Sequence, residues 1–234
     1  MQRRYDSTRR REQARQTGDT ILAAARRRFL DDGFASTTIA SIASDAGVSV
    51  DTVYKTFGGK PGLVREICVR ALAGQGPAHA ESRSDTLQTT EPDPRIIMRG
   101  IGRLTAEVAP RIAPILLLIR DAASADSGMA ELKLEMEAQR LERMTHNAGN
   151  LANAGHLRPD VSVETAAEIM WTYSSPELYE LLVINRGWPV ERFGTFVGDA
   201  LGAAIIEPPP RPLPERARSD ESPLPPGHHP QGEP

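Results

Sequence analysis

A single cysteine, Cys68, occurs in the 234 residues, which excludes an intramolecular disulfide and any zinc site built on a cysteine cluster. Aromatic residues make up only 5% of the chain, and the alternation of Val, Ile and Thr that marks half-buried strands is nearly missing. No run of about 18 apolar residues is present to cross a bilayer, and the basic segment Met1 to Arg15 lacks the apolar stretch of a signal peptide. A cytoplasmic protein without membrane partners is expected. Gly58-Gly59-Lys60 lacks both the earlier glycine and the following Ser/Thr of a phosphate-binding loop. The five histidines (His79, His146, His156, His228 and His229) form no catalytic or metal-ligating pair. These gaps argue against an enzyme, and they imply no cofactor and no metal.

What is present is enough hydrophobic residue, 39%, to build a core, spaced by three and four along most of the chain. That spacing predicts an all-α fold. The net charge of -3 conceals an asymmetry: residues 1–70 hold thirteen Lys/Arg against eight Asp/Glu, a net of +5, which leaves -8 for the rest. Because electrostatic partners respond to local patches, the basic end is the one suited to a polyanion. Six arginines (Arg3, Arg4, Arg9, Arg10, Arg11 and Arg15) fall within residues 1–17. This segment is expected to be a disordered arm, either merely solvated or touching DNA phosphates and a minor groove.

Residues 18–73 read as four short helices. The first buries Ile21, Leu22, Ala25, Phe29 and Leu30 and ends at Gly33. The second, Ile39 to Ala46, is capped by Thr38 and closed by Gly47 in a left-handed turn. The third runs from Ser49, its cap, to Phe57, with Val53 and Phe57 inward; the fourth carries Leu63, Val64, Ile67, Ala71 and Leu72, with Cys68 among them as a core residue. Residues 74–94 have no apolar periodicity and read as a linker, hence a domain boundary. Residues 95–206 form a second helical domain. Pro110 and Pro114 are expected to separate helices over 95–108 and 112–125. A long helix over 130–154 is expected to turn Leu134, Ala138, Leu141, Thr145, Ala148 and Ala152 towards a partner, and helices over 163–174, 176–185 and 190–206 follow. Ten prolines in residues 207–234 predict a disordered tail.

A helix-turn-helix needs a small residue where its helices cross, a glycine four residues later for the turn, and an apolar anchor six residues after that. Ala43, Gly47 and Val53 meet those requirements, although an ordinary helical hairpin would meet them too. The flanks go further. Thr37-Thr38-Ile39, Ala46-Gly47-Val48-Ser49, Thr52-Val53-Tyr54, Phe57 and Lys60, together with Ile21-Leu22-Ala23-Ala24-Ala25 and Gly33-Phe34, resemble the DNA-binding domain of the TetR family of transcriptional regulators over residues 15–75. Asp51 stands where that family often has glycine, and Thr56 where an aromatic often precedes Phe57. The Gly155 to Asp160 turn, Ser175-Pro176-Glu177-Leu178-Tyr179 and Gly187-Trp188 resemble the family's ligand-binding and dimerisation domain.

Physical roles can be assigned to the exposed positions of the hairpin. Thr38 and the amides of its helix N-terminus suit a phosphate; Tyr54 can donate a phenol hydrogen to another; Lys60 sits at a helix N-terminus, where the dipole disfavours a cation unless a phosphate is bound. Ser49, Val50, Asp51, Thr52 and Lys55 complete the DNA-facing set: Val50 suits a thymine methyl, Thr52 a base edge or phosphate, and Asp51 either a cytosine amino group or its own helix dipole. The expected partner is double-stranded operator DNA with an inverted repeat, read by a homodimer whose recognition helices lie about 34 Å apart. Pro176 to Asn185 and Arg192 to Ile206 are the candidate dimer helices, with Gly198, Ala200, Gly202, Ala203 and Ala204 allowing close approach and Phe193, Phe196, Val197, Leu201 and Ile205 supplying apolar area. Met98, Ile101, Leu116, Met136, Met170, Trp171 and Tyr173 are candidate lining for a pocket, or else plain core. The resemblance implies a repressor released from its operator by an unidentified small-molecule effector.

Overall fold

The computed structural model describes residues 2–74 and 78–206, with side chains from Arg9 onward; the proline-rich segment 207–234 lies outside the described residues. Helices α1 (Gln2–Asp31), α2 (Ile39–Ala46), α3 (Val50–Phe57) and α4 (Lys60–Ala73) make the N-terminal unit. Helices α5 (Ala80–Thr90), α6 (Pro94–Ala122), α7 (Ser127–Asn153), α8 (Val163–Tyr173), α9 (Pro176–Tyr179, continuing in π-helical form through Glu180–Asn185) and α10 (Val190–Ile205) make the rest. The described residues contain no strand, only an isolated bridge between Leu157 and Ile206 that closes the turn after α7, and no helix long and apolar enough to cross a membrane.

Local chemistry sets the boundaries of the short helices. Thr38 Oγ1 accepts from the Ser41 amide at 3.0 Å while the Thr38 amide donates to Ser41 Oγ at 3.3 Å, a reciprocal capping box at the start of α2. Gly47 ends that helix at φ +66°, a conformation that costs a side-chain-bearing residue steric strain. Ser49 Oγ caps α3 by accepting from the Thr52 amide at 3.1 Å. Inward from these caps, Ile21, Ala25 and Phe29 of α1 meet Ile42 and Ala43 of α2, Val53 of α3 and Leu63, Val64, Ile67 and Cys68 of α4, all buried. Phe29 stacks on Phe34 with ring centroids 5.7 Å apart. Burial pushes the Cys68 thiol up to about 12, so it behaves as a small hydrophobic residue.

This core does not stop at the expected boundary. Ile112, Ile115 and Ile119 of α6 and Met129, Leu132 and Met136 of α7 belong to the same apolar cluster, so α4 is packed into the C-terminal helices. A second cluster joins Ile97, Met98 and Ile101 of α6 to Leu151, Met170, Phe193, Val197, Leu201 and Ile205.

Four expectations are corrected. Residues 1–17, expected to be a disordered arm, are helical from Gln2 as the first turns of α1; Arg15 pairs with Glu12 at 2.7 Å and with Asp19 at 3.3 Å, the three- and four-residue spacings that support a helix. Residues 74–94, expected to be a linker, contain α5. Its buried positions, Ala80, Ser84 and Gln88, keep helical spacing but are small or polar, so hydropathy concealed it. Pro110 and Pro114 do not separate two helices but lie inside α6; each removes one backbone hydrogen bond, offset by burial of Ala109, Ile112, Ala113, Ile115, Leu117 and Ile119 around them. On α7 the first four positions of the expected stripe face outward: Leu134 is 66% exposed, and Ala138, Leu141 and Thr145 are exposed with it; its last two positions keep inward, Ala148 buried and Ala152 half-buried, beside the buried Met129, Leu132, Met136, Asn147 and Leu151.

One face of α10 packs inside the protomer. Phe193, Gly194, Val197, Gly198, Leu201 and Ile205 are buried within the protomer against α6. A methyl group on Gly102 would lie 2.3 Å from the Gly194 carbonyl oxygen, one on Gly194 2.6 Å from that of Gly102, and one on Gly198 2.9 Å from that of Met98. Gly102, Gly194 and Gly198 therefore serve an intramolecular seam, while Ala203 is exposed and Ala200 and Ala204 are half-buried on the remaining face of α10.

Candidate nucleic-acid interface

Helix α3 packs by Val53, which is wholly buried, and leaves its other faces outside. Val50 is 41% and Tyr54 52% exposed, a large apolar and an aromatic residue that the fold does not use. Asp51 and Lys55 are also outside and bridge each other at 2.6 Å, four residues apart. The Thr52 hydroxyl shares a 2.8 Å hydrogen bond with Ser49 Oγ, and Thr56 Oγ1 donates to the Thr52 carbonyl at 2.8 Å. The two departures from the resemblance thus have local partners: Asp51 pairs within the helix, and Thr56 bonds back onto it. Thr38 remains exposed at the start of α2 while capping it.

Lys60 is placed differently from its expected phosphate role. Its Nζ donates to the carbonyls of Phe34 at 2.6 Å and Thr37 at 3.0 Å and lies 4.1 Å from the centre of the Phe34 ring. Burial holds its ammonium below the usual lysine range. The lysine therefore braces the start of α4 against the turn after α1, and those carbonyls balance the cation at a helix N-terminus. Backbone acceptors of this kind leave no trace in side-chain identity. Asp45 provides a second brace: it accepts from Arg27 Nη2 at 2.7 Å and from Arg28 Nε and Nη2 at 2.7 and 2.9 Å, tying α2 to α1. Those guanidinium groups hold its carboxyl well below the usual carboxylate range. Gly62 also went unnoticed in the sequence. A methyl there would fall 1.8 Å from the Phe57 carbonyl oxygen, so only glycine lets the first turn of α4 pass the end of α3.

Beneath the hairpin unit lies a cavity of about 220 Å³ between α4, α5, α6 and α7. Its walls include Leu72, Ile101, Leu104, Val108, Ile112, Leu116, Met136 and Met144, and its polar members are Glu81, Ser84, Thr105, Gln139, Arg140, Arg143, Asn147 and Ser174. A smaller cavity of about 180 Å³ shares Leu116, Met136 and Arg140 and is lined further by Trp171, Arg120, Lys133, Glu137 and Glu177. Of the seven candidate lining residues, Ile101, Leu116, Met136 and Trp171 reach one cavity or both. Met98 and Met170 are core instead, and Tyr173 packs edge-on against Phe196 with centroids 6.1 Å apart. The polar wall went unread. Met136, Arg140, Arg143 and Asn147 follow helical spacing on α7, a signal visible only when polar residues are allowed to mark an inward face. The described residues contain no group of His, Cys, Asp and Glu able to hold a metal ion.

An all-helical protein with an N-terminal helix-turn-helix and a larger helical body is the class these features define. Within that class the N-terminal unit is similar in sequence to the TetR-family regulators, and the whole chain is similar to them in fold. Residues 21–67 match the family model described as bacterial regulatory proteins, tetR family, and the remaining helices share the family's fold. The structure resembles a SmeT-triclosan complex at 22% identity, covering 85% of this chain and 99% of that one with a TM-score of 0.64. It also resembles NalD, the secondary repressor of the MexAB-OprM multidrug efflux pump in Pseudomonas aeruginosa, at 19% identity over 83% of this chain and 98% of that one, TM-score 0.63. SmeT as repressor of the Stenotrophomonas maltophilia efflux pump SmeDEF gives 19% identity over 84% and 97%, TM-score 0.62. Among curated proteins none matches in sequence. The coarse function is DNA-binding transcriptional regulation.

Proposed function

We propose that the protein is a homodimeric repressor that binds an inverted-repeat operator and leaves it when a small molecule occupies the interior cavity. The observation that carries this reading is the unused surface of α3: Val50 and Tyr54 stand outside the core on a helix fixed by Ser49, Val53 and Gly58. Val50, Asp51, Thr52 and Lys55 read bases, with the Asp51–Lys55 bridge opening on contact, while Ser49, Thr38 and Tyr54 position phosphates. Lys60 orients the hairpin and adds at most its remaining N–H to a phosphate. The fold's likeness to SmeT in its complex with triclosan supports a ligand-responsive body.

Coupling would run through α4. Leu72, near its C-terminal end, lines the cavity, and Lys60, at its N-terminal end, holds the hairpin. A ligand that pushes Leu72 therefore turns the recognition helix, shifting the population away from the DNA-binding spacing. For the dimer, the outer side of α9 with its π-helical extension, where Leu181 and Ile184 are exposed, and the outer face of α10, where Ala203 is exposed and Ala200 and Ala204 are half-buried, supply the contact.

The test is binding to DNA upstream of the protein's own locus, measured across salt concentrations. Sequence-selective binding that falls steeply with salt is expected, and Tyr54→Ala combined with Lys55→Ala should weaken it at least tenfold without moving the melting temperature. Equal binding to random DNA would overturn the reading.

A further inference from the structure

The wall of the larger cavity holds one arginine, Arg140, with no salt bridge among the described residues. Arg140 Nη1 donates to the Trp171 carbonyl and to Ser174 Oγ at 3.4 Å, and the guanidinium lies 4.2 Å from the centre of the Trp171 ring. No carboxylate among the described residues comes within 4 Å of it. The surrounding acids are committed elsewhere: Glu137 to Lys133 at 2.8 Å, Glu177 to Arg120 at 3.8 Å and Asp85 to Arg143 at 2.5 Å. Glu81, the remaining acid on the lining, is exposed at the rim. Desolvation outweighs the longer-range attraction of Glu177 and Glu137 and holds the half-buried Arg140 guanidinium below the usual arginine range.

Its remaining donors, Nε and Nη2, have no hydrogen-bond partner among the described residues. These two N–H groups form the edge of a guanidinium that pairs side-on with the two oxygens of a carboxylate. Arg140 lines both cavities, and the walls of the larger one are mostly aliphatic and thioether. A dianion would bring more charge than one guanidinium balances in such surroundings, so a monoanion with an apolar body is the complement.

We propose that Arg140 anchors the carboxylate of a small amphipathic acid whose hydrocarbon part fills the cavity under α4. The proposal rests on the effector reading above and names the chemical class of that effector. Octanoate, with 1-octanol as the uncharged comparison, is the probe pair, followed by calorimetry and by fluorescence of Trp171 beside the guanidinium. Wild-type protein should bind octanoate at least tenfold more tightly than octanol. Arg140→Met, which retains length and loses charge, should abolish that preference while still binding octanol; Arg140→Lys, charged but without the planar fork, should retain part of it. Equal binding of acid and alcohol, binding of neither, or an unchanged preference in Arg140→Met would overturn the site. If Arg140→Met fails to fold by circular dichroism, Arg140→Lys decides: octanoate binding as tight as wild type would overturn it. Operator binding in the same samples separates the two claims. Octanoate bound with no effect on DNA affinity refutes the effector role and leaves the carboxylate site standing, whereas intact operator binding without octanoate binding refutes the site alone.

Discussion

The helices of the N-terminal unit meet through hydrocarbon, whereas α5 and α7 meet partly through amides, a hydroxyl and arginines. In the first region Phe29, Ile42, Val53 and Leu63 exclude water entirely, and the braces, Asp45 and Lys60, work from the periphery. In the second, Gln88 Nε2 donates to Asn147 Oδ1 at 3.0 Å and to Ser84 Oγ at 3.1 Å inside the protein, and Arg143 and Arg140 face a cavity. A dry core fixes a hairpin rigidly enough to present side chains to a groove. A polar-lined cavity sacrifices packing density for the capacity to hold something.

The first way to break this contrast is to remove volume from each side. Phe29→Ala takes a ring out of a filled core and should cost about 3–5 kcal/mol. Met136→Ala removes a side chain that already borders both cavities, so relatively little new void is created and a loss near about 2 kcal/mol is expected. Urea titration of both variants measures this. Equal losses would mean that the second region is packed as tightly as the first.

The same contrast explains what could be read in the sequence. Caps and left-handed glycines at Thr38, Gly47, Ser49 and Gly58 are encoded by residue type at fixed offsets, and Val53 is an apolar residue at an apolar position, so the hairpin was legible. Helix α5 was hidden because Ala80, Ser84 and Gln88 turn inward without being hydrophobic. On α7 the outward residues Leu134 and Leu141 are more apolar than the inward Arg140, Arg143 and Asn147, which inverted the expected face. The role of Lys60 depends on two carbonyl groups, and the crowding at Gly62, Gly102 and Gly194 on backbone approach. Neither is a property of side-chain identity.

Acid provides a second, smaller test of the braces. Asp45 beside Arg27 and Arg28, and Asp85 beside Arg143, both sit below the usual carboxylate range, Asp45 the further down. A depressed carboxyl contributes stability that is present above its unfolded value, about 3.9, and is lost as pH falls through its folded value. The melting-temperature gap between wild type and Asp45→Asn should therefore be widest at neutral pH and narrow below about pH 4. The gap for Asp85→Asn should close at a higher pH than that for Asp45→Asn. A gap for Asp45→Asn that is the same at pH 7 and at about pH 3 would show that the brace does not act through its ionised form.

The smallest expected effect is the most informative about the cavity. Gln88 Oε1 is buried without a donor, so the Gln88–Asn147 contact satisfies one amide group while leaving another unpaired. Gln88→Leu alone strands the Asn147 carbonyl oxygen and should cost about 1–3 kcal/mol. Replacing both by leucine removes donor and acceptor together, and a net change within about 0.5 kcal/mol is expected, because an apolar pair of similar shape loses no unsatisfied group. Asn147 lines the larger cavity, so the double variant also makes that wall apolar. If stability is unchanged while octanoate binding weakens, the polar pair serves the cavity and not the fold. If the double variant loses as much stability as the single one, the amides are structural and the contrast between the two regions is smaller than their chemistry implies.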